Sequence, residues 1–349
     1  MRAVCDWLGS PSHVADLCTA RFLQETTLSF VIRIRDPDPF SNMRNPATQL
    51  RFLSCNAFRL FGAMVALAVL FTLGCGAPSS AVGPTTTSGS TPSGTVPHFE
   101  HVVLIVEENS GFTDVIDGSA MPYLKSLAAQ YGLATQYYAN THPSVGNYFM
   151  LTAGDIVTTD DGFTGEVKVD NVVRQLLAAG KTWKSYAESR GDATLYVKRH
   201  DPLSYFSDVV ENSAQMQNLV LFSQFSTDLA NNSLPNFSFI VPNLVDDGHD
   251  APLQVADNWL KLNIAPLISN PTFQKDGLLI IVFDEAAGTD TTHGGGHVAA
   301  VIISAKAKKG FQSTTFYQHE STLRLILEAL GVSHFPGASS SAPDMGEFF

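Results

Sequence analysis

Two apolar runs constrain this 349-residue chain more than any other feature. His101–Glu107 (HVVLIVE) leads into Glu108-Asn109, and Leu278–Phe283 (LLIIVF) leads into Asp284-Glu285. Runs this apolar read as buried strands. Val298–Ile303 (VAAVII) is another, and shorter strands are expected over Lys181–Tyr186 and Asn236–Val241. Between them, Met121–Tyr131, Asn171–Ala179, Leu253–Leu267 and Glu320–Leu330 carry apolar residues at helical spacing. Strands alternating with helices predict an α/β fold, a three-layer α/β/α sandwich with a mostly parallel central sheet. Chemistry in such sheets gathers beyond the carboxyl ends of the strands. The acids after the apolar runs therefore sit where a site is expected.

The remaining organisation is read from composition. Residues 1–59 hold seven Arg against five acids, whereas the whole chain has a net charge of −12. A body that acidic excludes sequence-independent nucleic-acid binding, while its carboxylates suit cations. The four Cys are Cys5, Cys18, Cys55 and Cys75, which leaves the body without a thiol nucleophile or thiolate metal site. Leu60–Gly74 is a fifteen-residue uncharged run, short for a membrane span, preceded by Arg44, Arg51 and Arg59 and ending at Cys75. It reads as an export signal. Thr72-Leu73-Gly74-Cys75 resembles a lipoprotein cleavage box, so the expected location is the cell envelope, with a lipid anchor at Cys75. A secreted protein is the alternative. The chain then divides into an extension without periodicity (1–42), a lipoprotein-type signal (43–75), a Ser/Thr/Gly/Pro tether (76–97) and one catalytic domain (98–349). No obligate protein partner is implied.

Five segments could carry chemistry. Two strands ending in acids, at Glu108-Asn109 and Asp284-Glu285, raise the expectation of a hard cation between them. Ser144, in Thr141-His142-Pro143-Ser144-Val145-Gly146-Asn147, falls at the start of a short helix. That position suits an N-cap serine and a nucleophile equally, because free N–H groups and the helix dipole favour an alkoxide and a phosphate. Asn147 lies one turn on, within reach of a phosphate at Ser144. Asp246-Asp247-Gly248-His249-Asp250 is too polar for a packed loop interior. His293-Gly294-Gly295-Gly296-His297 brackets a triple glycine that would let backbone approach a ligand. Lys184 and His200 are weaker, isolated signals.

Taken in order, these segments resemble the phosphoesterase family of acid phosphatases and phosphatidylcholine-type phospholipases C, within the alkaline phosphatase superfamily. The resemblance runs from about His101 to Leu330. It implies an alkaline-phosphatase-like fold and one divalent metal ion held by Glu108, Asn109, Ser144, Asp284 and Glu285. It implies Ser144 as nucleophile, with His249 and His297 for phosphate contact or leaving-group protonation. Asn147, His142, Lys184, His200 and Asp247 would contact the substrate, a phosphate ester. Ser110-Gly111 stands where the family has a basic residue and a serine, and Gly146 replaces its usual proline. The extra C-terminal domains of the large phospholipases C are missing, which favours an acid phosphatase over a phospholipase C-type phosphodiesterase. A surface-binding lipoprotein with a degenerate site is the reading from another class.

Overall fold

The computed structural model describes residues 94–349. The 1–42 extension, the signal with Cys75 and most of the tether lie outside the described residues. In chain order the strands are β1 (His101–Glu107), β2 (Gly132–Ala134), β3 (Tyr137–Tyr138), β4 (Trp183–Ala187), β5 (Leu219–Leu221), β6 (Phe237–Val241), β7 (Gly277–Phe283), β8 (Ala300–Ile303), β9 (Phe311–Ser313) and β10 (Tyr317–Gln318). The helices are α1 (Pro122–Gln130), α2 (Ser144–Ala153), α3 (Val172–Ala178), α4 (Ser207–Val210), α5 (Ser213–Met216), α6 (Ser223–Ala230), α7 (Leu253–Ser269), α8 (Pro271–Asp276) and α9 (His319–Ala329). Among the described residues, no helix is long and apolar enough to cross a membrane.

Eight strands form one sheet in the order β5-β4-β6-β1-β7-β8-β2-β9, and β10 pairs with β3 separately. The pairs from β5 to β7 are parallel; β8 runs antiparallel to both β7 and β2. The expected sheet is thus present. All seven residues of β7 and all five of β6 are buried, as strands covered on both faces must be. Helices α1 and α7 pack together, and α2 and α3 pack on α9. Local chemistry sets the helix ends. Asn171 and Asn270 cap α3 and α8 by accepting backbone N–H bonds. Gly154, at φ 67°, ends α2 in the left-handed conformation that glycine adopts without a Cβ clash.

Register positions the site. β1 and β7 pair in parallel from His101↔Gly277 to Glu107↔Phe283. The residues just past their ends, Glu108 and Asp284, are therefore neighbours. The antiparallel β8 starts level with the end of β7, at Val282↔Ala300, and so delivers the preceding His293–His297 turn to the same edge. At the opposite edge the Phe99 N–H donates to Ala329 O just before β1 begins. There Gly94 and Gly346 pass so closely that a Cβ on Gly94 would lie 2.1 Å from Gly346 O.

Candidate active site

Glu108 is the centre of the site and is fully buried. Its Oε2 accepts from Ser144 Oγ at 3.2 Å and Asn109 Nδ2 at 3.2 Å, and its Oε1 from Tyr148 Oη at 2.5 Å. His200 Nε2 lies 3.2 Å from Oε1 but is not aligned for a hydrogen bond. Asn109 takes φ 52°, a left-handed turn that Asn tolerates. That turn aims its N–H at Asp284 Oδ1, 3.0 Å away. The Glu285 N–H donates to the same oxygen at 2.6 Å, while Asp284 Oδ2 is buried with no hydrogen-bond partner. Two unneutralised carboxylates thus meet beyond β1 and β7. Burial, then Asp284 and Asp247, pushes the Glu108 carboxyl well above the usual range. Burial, then Glu285, does the same to Asp284.

Ser144 is the first residue of α2, with Pro143 as the N-cap residue and no side-chain cap. The N-cap reading of Ser144 is therefore replaced: its hydroxyl leaves its own helix and donates to Glu108. Glu285 is held from the α2 side. Its Oε2 accepts from Asn147 Nδ2 at 3.3 Å and lies 3.2 Å from His142 Nδ1. Burial raises the Glu285 carboxyl to about 8.

Several expected roles change. Asn147 does not reach toward a phosphate at Ser144. Its Oδ1 accepts from Asn140 N and Thr141 N, and its Nδ2 donates to Thr141 O, so it ties down the loop before α2. Lys184 is level with Val103 through Ser238, five residues before Glu108, and its Nζ donates to Asp228 at 2.5 Å. It belongs to a structural ion pair. His297 stacks between Phe112 and Tyr138, and its Nε2 bonds Thr135 O at 3.0 Å, which commits the ring to packing. The triple glycine serves backbone rather than ligand approach. Cβ atoms on Gly294 and Gly295 would lie 2.0 Å from Asn140 O and 2.4 Å from Thr141 O. His200 and Asp247 are too buried to be open substrate contacts. His200 stacks on Tyr148 at 5.0 Å, with Nδ1 3.4 Å from Asp247 Oδ2, and burial holds its imidazole well below its ordinary value. Asp247 O accepts from Glu108 N, and burial raises its carboxyl to about 7. His142 stays beside Glu285, with Nε2 bonded to Asp290 O. His249 is exposed, 5.9 Å from the His200 ring and bonded to Asp250 through Nδ1.

Two residues were missed by sequence reasoning. Tyr148 stands four residues after Ser144, one helical turn on, and that spacing could have found it. His319 had no local signal. It is fully buried, with Nε2 2.6 Å from Asp284 O and Nδ1 3.1 Å from Tyr137 Oη. A carbonyl only accepts, so Nε2 carries the proton.

Among the described residues, no group of three or more His, Cys, Asp or Glu side chains is placed to hold a metal ion. The oxygens around Ser144 form a mixed set instead: two carboxylates, an amide and a hydroxyl. The unpartnered Asp284 Oδ2 and the clustered negative charge fit a hard cation.

Residues 114–333 match the model of the Phosphoesterase family, a span that begins after Glu108-Asn109 and includes α2, β7 and α9. An acid phosphatase of Aspergillus fumigatus is 32% identical over 61% of this chain and 51% of its own length. A phosphatidylinositol-3-phosphatase of Mycobacterium tuberculosis is 29% identical over 80% of this chain and 92% of its own. The chain spans about half the length of the fungal acid phosphatase. A Vibrio parahaemolyticus protein in the alkaline phosphatase superfamily superposes with a TM-score of 0.52 at 14% identity, covering 70% of each chain, a likeness of fold. With the fold, the ordered segments and the family match in agreement, the chain belongs to the phosphoesterase family.

Proposed function

We propose that this chain hydrolyses phosphate esters, monoesters in the first place, by transferring the phosphoryl group to Ser144 and then to water. The observation that carries this reading is the Ser144 hydroxyl, which starts α2 yet donates to Glu108 beside Asp284 instead of capping its helix. In the first step the Ser144 hydroxyl gives its proton to Glu108, which accepts its hydrogen bond, the Oγ–P bond forms, the P–O bond to the leaving group breaks, and the leaving oxygen takes a proton. His249, exposed and with Nε2 unengaged by Asp250, is suited to give that proton. Water then attacks phosphorus and gives a proton back to His249, the Oγ–P bond breaks, and the proton on Glu108 returns to Ser144. Glu108, Asn109, Ser144 and Asp284 would hold one divalent metal ion, with Glu285 at its margin. Such an ion, when bound, supplies charge neutralisation and acidifies the serine.

The names of the relatives support a monoester over a diester. One is an acid phosphatase and another a phosphatidylinositol-3-phosphatase. We further propose that the chain is exported and anchored through Cys75. A chromogenic phosphomonoester and a diester, assayed with and without chelator, test the reading. Expected are monoester turnover that chelator abolishes, and a labelled phosphoenzyme trapped at Ser144. Full turnover after exhaustive chelation would remove the metal, and a label on another residue would remove Ser144. Mature protein retaining residues 43–74 would refute cleavage.

A further inference from the structure

The first turn of α2 already holds an anion supplied by the chain itself. Asp161 Oδ1 accepts from the N–H of Val145, the residue after Ser144, at 3.2 Å. Its other oxygen lies 3.7 Å from Arg199 Nε, too far for a hydrogen bond. Arg199 Nε is buried and has no hydrogen-bond partner. Both charges reach the site: Asp161 and Arg199 act in opposite senses on Glu285 and on His200. One carboxylate thus lies against a backbone donor and a guanidinium beside the hydroxyl assigned as nucleophile.

The segment that carries Asp161 is held there by packing. Val157 takes φ 56°, and Thr158 N–H donates to Ile156 O at 2.5 Å, closing a three-residue turn that a β-branched residue rarely adopts. Ile156 and Thr158 lie over Gly146, where a Cβ would be 3.0 Å from Ile156 Cγ2 and 3.3 Å from Thr158 O. The glycine at this position lets the segment lie over the first turn of α2. Asp161 remains partly exposed and its contact with Arg199 is loose, so both can be exchanged.

Resting on the phosphoesterase reading above, we propose that Val145 N–H and Arg199 are the seat for phosphoryl oxygens, and that Asp161 occupies it until a dianionic phosphate displaces it. Arg199 is then a substrate-positioning residue. It supplies the basic contact that Ser110-Gly111 does not. A phosphoryl group offers one more oxygen and one more negative charge than the carboxylate it replaces. It can engage the guanidinium in the charge-assisted hydrogen bond that Asp161 does not make.

The test measures binding of inorganic phosphate to the full chain by calorimetry, with the same divalent cation present for every variant. Asp161→Asn keeps an oxygen for Val145 N–H and removes the competing charge. It is expected to bind phosphate about tenfold tighter and to lower KM for a phosphomonoester. Arg199→Met is expected to weaken phosphate binding at least tenfold, and Arg199→Lys to restore part of it. In the Arg199→Met background, Asp161→Asn is expected to change binding far less than alone. Asp161→Asn binding no tighter than the parent, or the two substitutions acting additively, would overturn the proposal. Melting curves identify a variant that fails to fold, and Asp161→Ser then repeats the comparison. Phosphate binding is read without turnover. A chain that shows this pattern but hydrolyses nothing would refute the activity and leave the seat intact.

Discussion

That Ser144, Glu108 and Asp284 would converge was legible in the sequence, because polar groups directly after buried strands, or at a helix start, gather at one edge of a parallel sheet. The partners of Asn147, Lys184 and His297 were not legible, because a polar side chain takes its contacts from groups brought near by the fold. Asn147 found the 140–141 backbone, Lys184 found Asp228, and His297 found Thr135. Substitutions separate these roles. Ser144→Ala removes one hydrogen bond, about 1 kcal/mol of stability, and no cap. It is expected to cut kcat by several orders of magnitude while melting barely moves; near-normal turnover would exclude Ser144 as nucleophile. Asp284→Asn keeps an acceptor for Asn109 N–H and Glu285 N–H and removes one buried negative charge. The expected outcome is lower bound metal by elemental analysis, lower activity, and a melting temperature in chelator equal to or above that of the parent. A marked loss of melting temperature in chelator would mean that the Asp284 charge is structural.

The strong elements β1, β6, β7 and β8 and the long helices α7 and α9 were readable from apolar periodicity. The three-residue strands β2, β5 and β9 were not, since so few residues carry no period. The direction of β8 was also hidden, because an apolar run reads the same either way along the chain. One contact between elements was invisible in sequence: His319, at the start of α9, holds the carbonyl of Asp284 beyond β7. Its imidazole is fully buried, and burial lowers it to about 4 from an ordinary 6.5. Between those values the unfolded chain binds a proton that the folded chain refuses. Stability therefore rises with pH across this window and falls as pH drops from about 6.5 to about 4. His319→Gln keeps an N–H donor and loses the titration. The difference in unfolding free energy between pH 7.5 and pH 4.5 is expected to shrink by about 2 kcal/mol in this variant. Denaturant titrations at the two pH values measure it, and an unchanged difference would show that His319 is not the group responsible.

For the molecule as a whole, the sheet is closed at one margin by the C-terminal residues. Phe348 is fully buried against Phe311 and fills the space beside Gly132, where a Cβ would lie 2.5 Å from its ring. Glu347 accepts from Ser313 and Tyr317. Nothing in the local sequence distinguishes this tail from a loose end; its order comes entirely from contacts with distant strands. Phe348→Ala is expected to destabilise the chain by about 3–5 kcal/mol while leaving kcat unchanged, as measured by denaturant melts and assays below the transition. A shift under about 1 kcal/mol would mean that the tail is dispensable.

β1 crosses the molecule from the margin where Gly94 and Gly346 meet to the margin where Glu108 begins the site. Seven residues of strand span about 23 Å. The two ends of β1 are thus about 23 Å apart, so a change at the Gly94–Gly346 margin acts on the hold of the strand and not on the carboxylates beyond its other end.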